Sequence, residues 1–280
     1  MNNQITLTQV KPDLHARPHT PTAHLSRWLR KHIQYVLIPI ALALFLVLWQ
    51  TIVVVNQYPE FILPMPTQVA ASWFMNWQNG IIPRHLGITL IEIAFGFSIA
   101  FVFASVIGYV LAKSPLIEKI VSPYLVAAQA VPIVAIGPLI LIWINTGIVQ
   151  NALVAALIIF FPMLVNTIVG VRSVSAEHRA LMRSYNANPW QVFAKLEAPA
   201  ARPVFFGGIR VGITLSVIGV IVVELMWADR GLGFLLNFAR GALDTPLLFA
   251  TVATLSTMAL GLYASAALLE RITIHWRSEK

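Results

Sequence analysis

The chain contains no cysteine, so disulfides and thiolate-held metals have no place in its structure. Charge is scarce as well. Asp, Glu, Lys and Arg make up 11% of its 280 residues, against about 25% in an ordinary soluble domain. The pattern G-x-x-x-x-G-K-[ST], which cradles nucleotide phosphates, occurs nowhere in the sequence. No Ser/His/Asp constellation, no metal-ligand cluster and no pair of catalytic carboxylates can be picked out, which makes an integral-membrane enzyme the weaker class.

Apolar side chains, by contrast, are abundant: 58% of the chain is hydrophobic. A hydrocarbon core takes about 20 apolar helical residues to cross, and six stretches meet that length, roughly 34–55, 86–112, 121–143, 148–170, 205–227 and 247–269. The predicted fold class is all-α, a polytopic membrane protein. Residues 1–31 are polar, with Pro12, Pro18 and Pro21. Such a leader is too long and polar for the charged region of a secretory signal, so the first apolar run is expected to be a retained span.

The net charge of +8 reflects orientation rather than nucleic-acid binding, since no basic patch interleaved with aromatics lies outside the spans. Fifteen cations fall on one side: Lys11, Arg17, Arg27, Arg30 and Lys31 before the first span; Lys113 and Lys119; Arg172, Arg179, Arg183, Lys195 and Arg202; and Arg271, Arg277 and Lys280. Arg84, Arg230 and Arg240 fall on the other, and Arg210 sits within a span. The positive-inside rule then puts both termini and the insert 171–204 in the cytoplasm.

Small residues recur every fourth position in the second span, at Gly96, Ala100, Ala104, Gly108 and Ala112, and again at Gly208, Gly212 and Ser216 in the fifth. Such ridges let helix backbones approach closely. The third span is interrupted by Pro132 and Pro138 with Gly137 between them. A broken helix is tolerated in lipid when protein covers it or when it lines a cavity. Gln129, Pro132, Val134, Ile136, Pro138 and Asn145 are therefore candidates to line a pathway. Glu92 and Glu224 are the acidic residues within the spans. Each costs about 2.5–3.5 kcal/mol at a helix centre, but both lie towards the outer ends of their helices. Glu224 is accordingly a further pathway candidate, with pairing or snorkelling an equal explanation for both residues. His85 and Arg84 read as ordinary boundary residues.

The insert carries "LMRSYNANPWQVFAKLEAPAARP" at 181–203. Its pattern predicts two short helices joined by a turn at "NANP", with Asn188 as cap and Pro189 in the first turn. Asn186 would take the left-handed backbone. Leu181, Tyr185, Trp190, Phe193 and Leu196 are expected to face apolar surroundings, and Pro199 and Pro203 to stop the second helix. From these residues alone, a hairpin resting on lipid headgroups and a docking element with aromatic anchors both stand.

Here the residues resemble a known family. The insert is similar to the cytoplasmic loop of permease subunits of ATP-binding-cassette (ABC) importers, whose pattern is E-A-A, three residues, Gly, nine residues, Ile, any residue, Leu, Pro. Ala180, Leu181 and Met182 take the E-A-A positions, Asn186 the glycine, Leu196 the Ile and Ala198 the Leu, and Pro199 is the identical residue. "PAARPVFFGGIR" resembles the loop exit of sulfonate, nitrate, taurine and thiamine-precursor permeases. "LPMPTQV", "VPIVAIGPLILIW", "FFPMLVNTIVGVRSV" and "DRGLGFLL" extend the likeness over most of the chain. Glu92 stands where relatives usually carry a basic residue.

The resemblance implies a binding-protein-dependent permease fold with a leader at 1–33, a membrane domain at 34–270 containing the coupling loop 171–204, and a tail at 271–280. It implies a bacterial inner-membrane permease, itself no enzyme and without cofactor. ATP and Mg would be held by an ABC ATPase subunit docking at Tyr185, Asn186, Ala187, Trp190, Phe193 and Pro199. An extracytoplasmic substrate-binding protein and a second permease copy, as a homodimer surrounded by lipid, complete the expected partners. In overall wording the chain is nearest to permeases for vitamins and heteroaromatic precursors, riboflavin or the thiamine pyrimidine. An alkanesulfonate, taurine or nitrate permease is the alternative within the family. An ion-coupled secondary transporter is the competitor outside it, although it would need an ion site at a broken helix, and the third span has no carboxylate.

Overall fold

The computed structural model describes residues 22–144 and 147–273, and every regular element among them is helical. Helix α1 (Thr22–Asn56) forms one unit by itself, and residues from Gln57 onwards form a second. In α1, the expected span at 34–55 is continuous with a helix that begins at Thr22, within the expected leader. The expected N-terminal segment 1–21 and the end of the tail, 274–280, lie outside the described residues.

The second unit contains α2 (Pro66–Gln78), α3 (Ile81–Lys113), α4 (Pro115–Ala130), α5 (Ile133–Trp143), α6 (Gly147–Arg172), α7 (Ala176–Ser184), α8 (Pro189–Val192), α9 (Ala198–Trp227), α10 (Leu232–Gly241) and α11 (Thr245–Thr273). A π-helical turn, Phe193–Glu197, joins α8 to α9. Among the described residues five helical stretches are long and apolar enough to cross a membrane: Leu37–Asn56, α3, α6, Pro189–Trp227 and α11. The interrupted third span expected at 121–143 is divided between two helices. Its helices α4 and α5 have 16 and 11 residues, each short of the roughly 20 that a crossing takes. The break falls at Val131–Pro132, where the backbone is extended, while Pro138 is carried inside α5.

Helices α3, α6 and α9 form the heart of this unit. The predicted ridge on α3 is buried at all five positions and faces α6. A Cβ added at Gly96 would stand 2.7 Å from the backbone oxygen of Ala152, and one at Gly108 would stand 2.8 Å from Thr167 Cβ. The α9 ridge behaves alike: Gly208, Gly212 and Ser216 are buried, with Gly208 against Asn166 of α6. Without a hydrophobic force between helices in lipid, this backbone proximity is what gives dispersion contacts their grip. Ala100, Ala104, Ala156, Ile159, Met163 and Leu164 fill the core between α3 and α6.

Pro199 and Pro203 do not stop a helix as expected. Pro199 lies in the first turn of α9 and Pro203 within it. At Pro199 the π turn just before it, with Ala198 N–H donating to Phe193 O, accommodates a residue that has no N–H to give, and α9 continues through Pro203.

Candidate functional site

The hairpin takes the predicted local form. Asn188 caps α8 by accepting from Gln191 N–H at 2.8 Å, and Gln191 Oε1 accepts from Asn188 N–H at 2.9 Å. These two bonds satisfy donors that a helix start leaves unpaired. Asn186 has φ of 50°, in the left-handed region that asparagine tolerates better than most residues. This lets Ala187 N–H reach Met182 O at 3.0 Å and close α7. On α7, the Ser175 cap accepts from His178 N–H, and Ser175 holds the Glu177 carboxyl below its usual range by a hydrogen bond.

The apolar side chains of the hairpin meet expectation in part. Leu181 and Tyr185 are 53% and 77% exposed, and Trp190 is 71% exposed with one side of its ring towards Phe193. Phe193 packs inward as expected, its ring edge-on to Tyr109 at 5.3 Å and 5.5 Å from Trp190. Ala187 and Pro199 are half-buried. A mostly apolar cavity of about 770 Å³ lies behind these rings, lined in part by Tyr109, Trp190, Phe193, Arg202 and Phe205.

Sequence reasoning missed the residue at the back of the hairpin. Glu197 ends the π turn and is 1% exposed. Its carboxylate accepts from Lys113 Nζ at 2.5 Å and from Tyr109 Oη at 3.0 Å, with Arg179 at 3.9 Å. Arg179 also donates to Val171 O at 2.9 Å. The motif leaves this position open to any residue, and its partners lie far away in sequence, so no local pattern announces it.

A second buried polar group sits at the opposite end of the bundle. Three N–H groups at the start of α10 are taken by side chains of α3 and α9: Gly231 N–H by His85 Nδ1 at 3.0 Å, Leu232 N–H by Thr89 Oγ1 at 2.8 Å, and Gly233 N–H by Glu224 Oε2 at 2.6 Å. Thr89 Oγ1 donates in turn to Glu224 Oε1 at 2.7 Å. A helix N-terminus favours a carboxylate, and the glycines of "DRGLGFLL" make room for this one. Gly231 has φ of 98°, and a Cβ there would overlap the Glu224 carboxyl. Glu92 is fully buried beside Glu224 and accepts from Asn151 Nδ2 at 2.9 Å. His85, expected as a boundary residue, is thus bonded to α10 and stacks on Phe234 at 5.7 Å.

The remaining pathway candidates are spread along the broken segment. Gln129, Pro132 and Pro138 are exposed, and Ile136 is half-buried against Ile140, Val154, Val223 and Trp227. Val134 lies on the first turn of α5, and Asn145 lies outside the described residues. Gly137 is where Trp227 of α9 crosses, since a Cβ there would run into its ring. At the other end of this segment Arg172 of α6 grips Glu118 of α4 through both guanidinium nitrogens and holds that carboxyl below its usual range. Both groups are solvated, so the pair adds little stability.

Long close-packed helices, a broken segment on the outside of the bundle and an aromatic hairpin at one end are the architecture of a polytopic membrane protein. The chain belongs to the family described as the binding-protein-dependent transport system inner membrane component, which matches residues 100–274. It is 42% identical over 241 residues to the riboflavin transport system permease protein RibX of Chloroflexus aurantiacus, covering 86% of this chain and 90% of that one. It is 30% identical over 220 residues to the formylaminopyrimidine transport permease protein ThiX of Halalkalibacterium halodurans, covering 79% and 88%. Among solved structures, an amino acid ABC transporter crystallised with histidines superposes with a TM-score of 0.57 over 70% of this chain and 96% of that one, at 15% identity, a likeness of fold. The protein is therefore a multi-pass inner-membrane permease of an ABC importer. It works with an ATPase, which binds the ATP, and with a substrate-binding protein, and it is not itself catalytic.

Proposed function

We propose that this permease conducts a heteroaromatic vitamin or vitamin precursor, of the riboflavin or pyrimidine kind, inward across the membrane. Two copies would form the route, each facing the other with the α4–α5 break. The observation that carries the substrate class is the 42% identity to a riboflavin permease across 86% of the chain, with a pyrimidine permease also similar. Gln129, Pro132, Val134, Ile136, Pro138 and Asn145 line the route in this reading. Glu224 shapes it from behind by holding α10. Both termini and the hairpin face the cytoplasm, in line with the distribution of cations.

The ATPase docks on Tyr185, Asn186, Ala187 and Trp190, with Phe193 and Pro199 setting the angle of the hairpin. The exposure of Tyr185 and Trp190 on a capped, rigid turn supports this, because binding energy concentrates in a few aromatic anchors. Trp190→Ala is expected to weaken ATPase binding by about 2 kcal/mol, or about 30-fold, and Ala187→Asp to abolish it. Both proteins should still insert in the membrane. Co-purification of the ATPase and uptake of labelled riboflavin and of a labelled aminopyrimidine are the measurements. Full ATPase recovery with both variants refutes the docking site, and uptake of neither solute by the wild type refutes the substrate class.

A further inference from the structure

We propose that Glu197 is the positioning residue through which displacement of the hairpin reaches the membrane helices, and that Lys113 and Tyr109 of α3 receive it. The inference rests on the docking reading above and adds the route by which force leaves the docked hairpin.

Four segments meet at one carboxylate. Lys113 and Tyr109 bring the last turns of α3, Arg179 brings α7 together with the C-terminal carbonyl of Val171 in α6, and Glu197 itself closes the π turn that leads into α9. The carboxylate is 1% exposed whereas Lys113 is 37% exposed, so the bond is shielded on one side and reachable on the other. A bond of this kind is stiff because the buried acceptor has no water to exchange for its donors.

Direct contact between the hairpin tip and the membrane helices is poor. The aromatic tip of the hairpin is exposed, and the cavity of about 770 Å³ separates much of its inner face from α3, α6 and α9. An open cavity transmits little, because its lining atoms have no partners across the gap. Movement of α8 enters the membrane helices on one side through the π turn and on the other through α7, which adjoins α6. From the π turn it follows α9, which packs on α3 deeper in the bundle through Phe205 and Phe101, and at the last turns of α3 it acts through Glu197 and the Phe193–Tyr109 ring contact beside it. Because the ridge of α3 is fitted to α6, whatever moves α3 moves the pair.

The test uses the assembled permease–ATPase complex and needs no transported solute. Val106, 59% exposed on the cavity side of α3, is changed to Cys in this cysteine-free chain. Its reaction rate with a small polar thiol reagent is compared between the nucleotide-free complex and the complex trapped with ADP and vanadate. With the junction intact the rates should differ at least threefold. Glu197→Gln and Lys113→Ala should erase that difference while the ATPase stays bound and hydrolyses ATP, and Lys113→Arg should restore it. Tyr109→Phe, which removes one hydroxyl, should reduce it partway and guards against a folding defect in the charge variants.

A nucleotide-dependent rate that survives both Glu197→Gln and Lys113→Ala overturns the proposal, as does the absence of any difference with the junction intact. Loss of the ATPase from both charge variants also overturns it, since the residues would then belong to docking. Failure of the docking reading is separately visible, as normal ATPase recovery with Ala187→Asp.

Discussion

Adding one methyl group at different glycines should move stability in opposite directions. In a helix interior, Gly→Ala by itself stabilises by about 0.5–1 kcal/mol by restricting the unfolded backbone. At Gly87 and Gly261 the added Cβ has nothing within 4 Å, so that gain should appear undiminished. At Gly96 the same atom lands 2.7 Å from Ala152 O and 3.1 Å from Ala155 Cβ, and at Gly108 it lands 2.8 Å from Thr167 Cβ and 3.1 Å from Leu164 O. Backbone oxygens cannot swing aside as a flexible side chain can, so α3 and α6 must separate. Overpacking of this kind costs about 1–3 kcal/mol. The balance is a loss on the order of 1 kcal/mol, which for a chain of this size lowers a melting midpoint by about 2–4 °C. The assay is the thermal midpoint of each detergent-solubilised single variant, followed by size-exclusion fluorescence. If Gly96→Ala and Gly108→Ala raise the midpoint as Gly261→Ala does, the ridge is not the contact that holds α3 to α6.

Two further outcomes test orientation and route. A reporter active only outside the cytoplasm should be silent when fused after Lys280 and active near Asn79 or Asp244; activity at 280 refutes the assigned orientation. Cysteines at Gln129 and Ile136 should react with a polar thiol reagent at rates that depend on the nucleotide state, and complete protection in every state would mean that the broken segment is packing alone.

What the sequence made legible was local. The four-residue recurrence of small side chains, the Asn188 cap and the left-handed Asn186 each depend on neighbours within a turn or so, and each is found where its pattern puts it. The break at Pro132 was visible for the same reason, since proline's missing donor acts on its own helix. Pro199 was misjudged because a first-turn proline has no bond to lose and because a π turn has no sequence signature that periodicity can expose, while Pro203 is carried inside α9. The polar sites were hidden more deeply. Thr89 meets Glu224 across 135 positions, and Lys113 meets Glu197 across 84. A single sequence records that each residue is polar and nothing of what it will touch. His85 and Glu224 looked like interface residues because burial by α10 is a property of the fold, although the paired glycines of "DRGLGFLL" are the trace the carboxylate leaves.

The π turn also fixes an azimuth. Each residue of a helix advances the chain by about 1.5 Å and about 100° around the axis, so the residue that a π turn accommodates beyond the regular α repeat is an angular offset between two otherwise collinear rods. Here the offset lies between the tip bearing Trp190 and the membrane rod that ends at Trp227. The compass direction in which the tip points is consequently quantised. Losing or gaining one residue between Phe193 and Glu197 swings Trp190 through more than a quarter of a circle while leaving every side chain on either rod unchanged, so the length of this five-residue turn specifies the face that the tip presents as strictly as the identity of any residue on it.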